Sequence, residues 1–321
     1  MSASQAGHHY GLDAEASPDD HPESEQPHID TLLFAQHGWA DNNQAMLRFG
    51  EAIASPGALV IAPNLGYVRT WLRIEPLIET AERAAADALA EHPQARIRAV
   101  GHSMGGLIWV ELLTRHPEWL ARTDRLVLIG CPVGGAELAG FLDPLGLTIG
   151  RDLRVNRRAR AEAIAATVPT LTIVGDWLGQ HDGTVSHESA RLVNARFVLT
   201  PSATHAGLRN SPVVIRLVRA FFEQPDPPPV DLQQFVARLK AIPSIRPAEP
   251  QLMRVAKVTM MLADGSTIRT QTAMPGVDLV FLADCEGRCL YAGAAPSVRG
   301  GGVQQALAAI RETHHAAVLA P

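Results

Sequence analysis

The chain has 321 residues, of which 46% are hydrophobic and 19% charged. That balance excludes a wholly disordered chain, a collagen-like rod and a highly charged coiled coil, and leaves a globular protein of two domains or one α/β domain with an appendage. The formal net charge of −5 arises in the first thirty residues, where Asp13, Glu15, Asp19, Asp20, Glu23, Glu25 and Asp30 stand without a Lys or Arg; the remainder is near neutral, so no basic field points to nucleic acid.

Residues 1–29, rich in His, Asp, Glu, Ser and Pro and without apolar periodicity, are expected to be a disordered acidic tail, because they bury too little surface to offset the entropy of ordering. From residue 30 to 224, short apolar runs alternate with helical patterns. Strands are predicted at Thr31 to Gln36, Ala58 to Ala62, Ile97 to Val100, Arg125 to Gly130, Thr170 to Gly175 and Ala195 to Thr200. Helices are predicted at Asn42 to Ala54, Thr70 to Glu91, Met104 to His116, Leu153 to Ala166, Ser186 to Val193 and Pro212 to Phe222. This alternation predicts a doubly wound, mostly parallel α/β sheet with helices on both faces.

Prolines then concentrate in residues 225–250, predicting an extended Pro-rich linker. Beyond it, Val255 to Leu262 and Ser266 to Thr272 flank Asp264-Gly265, and Val277 to Ala283 and Arg288 to Ala292 flank Glu286-Gly287. These are hairpin patterns, and with a helix over Val303 to Ala317 they make residues 251–321 a small α+β appendage with no recognisable catalytic set. It is a candidate surface for a protein partner. No apolar run approaches the roughly 18 to 20 residues of a membrane span. The N-terminus shows no secretory-signal pattern, so the cytoplasm is the expected compartment. Cys131, Cys285 and Cys289 make no disulfide framework and no metal motif.

Chemistry concentrates at Val100-Gly101-His102-Ser103-Met104-Gly105-Gly106, a Gly-x-Ser-x-Gly sequence placed after an apolar strand and before a helical pattern. A tight strand-to-helix turn there would lift the Ser103 hydroxyl above the sheet and direct the Met104 amide, at a helix N-terminus, towards a developing oxyanion. On these residues the sequence resembles the α/β-hydrolase superfamily, lipase and esterase branch, over residues 30–223. The resemblance implies that fold, a second oxyanion donor at Gln36-His37-Gly38-Trp39, assigned to the Trp39 amide, and an acid and a base following the serine in that order.

A serine hydroxyl needs a base to take its proton, and the base needs an acid to hold its tautomer. Two aspartates compete for the acid, Asp176 and Asp182. The Asp182-Gly183-Thr184-Val185 sequence resembles the family's acid loop, and Asp182 is preferred. His205, after the last strand and before the last helix, is the expected base, with His181 and His187 as rivals. The segment 132–168 is where this fold inserts a short cap; Phe141 and Leu142 in it, together with His37 and His102, are candidate pocket residues. Arg151, Arg154, Arg157, Arg158 and Arg160 suit either an anionic partner or, preferably, a solvated helix face. The expected activity is hydrolysis of small-molecule or lipid carboxylic esters through a Ser103, His205, Asp182 triad without metal or organic cofactor. Acyl transfer on the same scaffold and a non-catalytic binding protein are the alternatives.

Overall fold

A computed structural model describes residues 29–136, 149–177, 181–201, 203–224, 230–274, 276–297, 302–314 and 317–320. The first 28 residues and the cap candidates Phe141 and Leu142 lie outside the described residues. Six parallel strands form the first sheet: β1 (Thr31–Gln36), β2 (Ala58–Ile61), β3 (Arg96–His102), β4 (Thr123–Ile129), β5 (Thr170–Asp176) and β6 (Arg196–Pro201). Their spatial order is β2-β1-β3-β4-β5-β6. The chain therefore winds outward from β1 to β2, crosses back to β3 and continues in the other direction. The reversal leaves a crevice beyond the carboxyl ends of β1 and β3, where open parallel sheets place their ligands. This is the α/β-hydrolase fold.

Helices cover both faces because the strands are apolar on both. Leu32 and Phe34 of β1 point into one layer, with Leu77, Ile78 and Ala81 of α2 (Glu75–Glu91) and the almost wholly buried α3 (Met104–Arg115). Leu33 and Ala35 point into the other, with Met46 and Phe49 of α1 (Asn43–Ile53) and Val214, Leu217 and Phe221 of the helix Pro212–Glu223. Alternate side chains of a strand face opposite layers, so continuous apolar runs are needed to fill two.

Two of the predicted helices are divided in the structure. Residues 70–91 divide into a 3-10 turn at Val68–Trp71 and α2, whose first turn holds Pro76. Residues 153–166 divide between helices Ile149–Leu153 and Arg158–Ala165.

The second unit is larger than an appendage beginning at 251. An antiparallel sheet contains β7 (Arg246–Pro247), β8 (Lys257–Leu262), β9 (Thr267–Met274), β10 (Val277–Ala283), β11 (Cys289–Pro296) and β12 (Val318–Ala320), in the order β12-β8-β9-β10-β11-β7. Helices Leu232–Lys240 and Val303–Thr313 pack on one face through Phe235, Leu239, Leu307 and Ile310. The extended linker expected over 225–250 is thus corrected: its middle is a helix. Proline density hid an amphipathic stretch with a capping Asp231, whose carboxylate accepts the Gln233 amide proton at 3.0 Å.

Candidate active site

Ser103 follows β3 directly and is the N-cap of α3, with φ 56° and ψ −125°. A non-glycine residue in that region costs of order 1–3 kcal/mol and persists only where its surroundings enforce it. Its amide donates to the Ile129 carbonyl at 2.8 Å, fastening the turn to β4. The flanking glycines are steric requirements. A Cβ on Gly101 would lie 2.3 Å from the Gly106 nitrogen, and one on Gly105 would lie 2.3 Å from the Gln36 carbonyl oxygen.

The loop after β1 lies against this turn. A Cβ on Gly38 would sit 2.8 Å from the His102 carbonyl oxygen and 3.1 Å from the Met104 nitrogen, so only glycine lets the two backbones approach so closely. Trp39, next in sequence, lines the cavity above Ser103 and packs edge-on against Trp71 with ring centroids 4.5 Å apart.

Across the cavity, the His205 Nδ1 is 2.7 Å from Asp182 Oδ2. The other carboxylate oxygen, Oδ1, accepts the amide protons of Thr184 at 2.9 Å and Val185 at 2.8 Å, and the His205 amide donates to the Asp182 carbonyl at 2.8 Å. Asp182 is buried, and the loop that follows it holds its carboxylate in one orientation. Because Nδ1 donates to that carboxylate, Nε2 is the unprotonated, basic nitrogen of the neutral ring. Gly130, at φ 54°, makes room beneath the pair: a Cβ there would fall 3.0 Å from the His205 ring and 3.1 Å from Asp182 Oδ2.

The rival histidines are engaged elsewhere, and the carboxylate that meets His205 is that of Asp182, not Asp176. Asp176 lies 3.7 Å from the His187 Nε2, which also donates to the Gly175 carbonyl at 3.1 Å, and the His181 Nδ1 accepts the Gly183 amide at 3.0 Å. A cavity of about 250 Å³ brings Ser103 and His205 together with Trp39, His102, Leu153 and Val185.

His37 is a correction. It is fully buried and does not line this cavity; its Nε2 accepts the Leu65 amide at 3.0 Å, which leaves Nδ1 to donate to the Gly38 carbonyl at 3.1 Å. The ring ties the β1 loop to the loop after β2, and burial lowers its pKa. His102 does line the cavity, and its Nε2 donates to the His205 carbonyl at 3.0 Å. Burial, reinforced by the neighbouring His205, holds the His102 imidazole well below its ordinary value, so the ring is a neutral prop. The residue that sequence reasoning missed is Arg209, which also lines the cavity. No motif surrounds it; only the fold brings it there.

Most of the arginine-rich segment is used internally. Arg157 Nε and Arg160 Nη1 reach the buried Glu111 of α3 at 2.6 and 2.7 Å, and Arg158 donates to the Arg191 and Glu188 carbonyls. Among the described residues, no group of three or more His, Cys, Asp and Glu is placed to hold a metal ion, and no helix is long and apolar enough to cross a membrane.

No protein-family model matches the chain, and no curated protein matches it. Among solved structures it is similar to lipase B of Aspergillus fumigatus (17% identity, 64% of this chain and 56% of that one, TM-score 0.49). It is also similar to Est1E of Butyrivibrio proteoclasticus with ferulic acid bound (19%, 64% and 92%, 0.48) and to mature lipase BlEst2 of Bacillus licheniformis (18%, 63% and 96%, 0.47).

Proposed function

We propose that the protein is a serine hydrolase of carboxylic esters. The observation that carries this reading is the 2.7 Å contact between His205 and the buried Asp182, on the wall of a cavity that also exposes the hydroxyl-bearing turn at Ser103. In the proposed reaction, Ser103 Oγ attacks the ester carbonyl while His205 Nε2 takes the hydroxyl proton, and Asp182 orients the imidazolium that forms. The carbonyl oxygen becomes an oxyanion received by the Trp39 and Met104 amides, aided by the N-terminus of α3. Collapse breaks the bond to the alkoxy group, which leaves as alcohol with the proton from His205. Water, deprotonated by the same nitrogen, then attacks the acyl-enzyme and releases the acid with Ser103 restored.

The test is labelling with a fluorophosphonate probe, followed by peptide mass spectrometry and an ester-substrate screen. The expected result is a single adduct on Ser103, absent in Ser103→Ala and abolished or strongly slowed in His205→Ala. Ester turnover should fall by several orders of magnitude in each variant and no further in the double variant, because the two residues act as one unit. Labelling at another serine, or turnover that survives Ser103→Ala, would refute the reading.

A further inference from the structure

The cavity wall is mostly apolar, formed by Trp39, Pro132, Ala136, Leu153 and Val185, and one residue contrasts with it. Arg209, four positions after His205 and just beyond the short helix His205–Leu208, is the only side chain of fixed charge among the described lining residues. Its Nη1 stands 3.2 Å from Asp41 Oδ2, and the two side chains are 21% and 11% exposed. The contact is Coulombic rather than a completed hydrogen bond. Asp41 Oδ2 and the Arg209 Nε are both buried without a hydrogen-bond partner among the described residues.

A guanidinium presents five N–H donors in a rigid fork suited to a carboxylate, and a buried donor left unpaired costs about 1–3 kcal/mol. The Nε itself is closed to solvent, so a ligand in the cavity would engage the guanidinium through its remaining N–H groups. Asp41 is not among the residues lining the cavity, whereas Arg209 is, so the cation and not its counter-ion faces the cavity. The apolar wall would take the carbon chain of an ester, and Arg209 would take a charged end. Burial chiefly, and Arg209 to a smaller degree, disfavour a proton on His37 and His102.

We infer that Arg209 is a specificity determinant that receives a carboxylate carried by the substrate, so that the preferred esters bear an anionic group in addition to the scissile ester. This inference rests on the serine-hydrolase reading for its chemistry, and the experiment keeps the two separable. Turnover would be measured on two matched pairs, one with the charge on the acyl side (para-nitrophenyl hemisuccinate against para-nitrophenyl pentanoate) and one with it on the alcohol side (the butyrate ester of para-hydroxybenzoate against phenyl butyrate). The readout is the ratio of kcat/KM, charged over neutral. In one pair, Arg209→Gln should lower that ratio by ten- to a hundredfold, the range expected for a charge-assisted hydrogen bond, and Arg209→Lys should restore part of it. Asp41→Asn should raise the ratio, since it frees Arg209 from its counter-ion.

An arginine that merely clasps the Asp41 loop to the His205 loop would behave otherwise: Arg209→Gln and Asp41→Asn would both depress charged and neutral esters together. Unchanged ratios in both pairs would overturn the inference while leaving the hydrolase reading intact. Binding supplies the independent arm, by calorimetric titration of Ser103→Ala protein with succinanilate and with butyranilide, neither of which needs turnover. Succinanilate should bind at least tenfold more tightly, and lose that advantage when Arg209→Gln is added. A preference in binding without ester turnover in the wild type would keep Arg209 as an anion receptor and reject the hydrolase; equal binding of the two anilides together with an unchanged ratio in the alcohol-side pair would reject Arg209.

Discussion

His102 and Ser103 are adjacent, yet the strand-to-helix turn sends their side chains to different tasks. The serine faces the open cavity, while the His102 ring packs 4.8 Å from the His205 ring and holds that residue's backbone carbonyl. Burial keeps the ring neutral in the folded protein, whereas in the unfolded chain it protonates near pH 6.5. The unfolded state therefore binds more protons below that pH, so the stability His102 confers is present above about 6.5 and is lost as pH falls towards the depressed folded value. His102→Gln keeps a donor for the His205 carbonyl and removes the titration. Denaturant unfolding of the variant between pH 7 and pH 5 should show a shallower loss of stability than the wild type. His37, shifted the same way, and His116, shifted upward by Glu82 and Glu118, are common to both proteins and cancel in the comparison. Parallel curves would remove His102 as a titrating prop. Ser103, with its glycine spacing, was legible in the sequence because steric demands are local. Arg209 was not, since its meaning depends on Asp41, which adjoins it only after the sheet has assembled.

Arginines 151–160 illustrate how an element acquires its purpose from what it packs against. A solvated face was the preferred expectation, and Arg151 and Arg154 are exposed. Arg157 departs from it: the side chain is 5% exposed, its Nε meets Glu111 at 2.6 Å, and its Nη1 donates to the Asp152 and Val155 carbonyls at 2.8 and 3.2 Å. This one side chain joins the segment before helix Arg158–Ala165 to α3, the helix that carries Ser103 at its start. Sequence alone gave no sign of which arginine would turn inward, because Glu111 lies in a stretch that reads as uniformly buried helix. Arg157→Met fills the space but leaves Glu111 with Arg160 alone and takes the guanidinium donor from the Asp152 and Val155 carbonyls. The expected loss is about 3 kcal/mol in chemical denaturation. Arg160→Gln, at a side chain 52% exposed, should cost less than about 1 kcal/mol. Equal effects would mean that the buried and the exposed halves of this triad are equivalent, contrary to their burial.

Across the whole molecule, the boundary between the two units is the feature least legible in the sequence. The proline-rich stretch suggests a tether and hence an independent appendage, but proline reports only local backbone freedom, and the second sheet is docked on the first. The free edge of β6 is covered: the Leu199 amide donates to the Cys285 carbonyl at 3.2 Å, Arg196 donates to the Ala263 carbonyl, and Arg191 meets Glu286 at 3.2 Å. A bare edge strand would invite pairing with another chain, so this cover protects the first sheet. Met261 of β8 goes further, entering the apolar layer that holds Phe221 and Val198. Two units sharing a core should unfold together. Met261→Ala, which empties part of that layer, should cost about 2–4 kcal/mol, and the midpoint should fall for the entire protein. Tryptophan fluorescence reports the first unit, since all five tryptophans lie between Trp39 and Trp177, and hydrogen exchange of the β9 and β10 amides reports the second. Coincident transitions by both probes, displaced together in Met261→Ala, are the expected outcome; a second unit that unfolds separately, or that leaves fluorescence unmoved by the substitution, would restore the tethered-appendage picture.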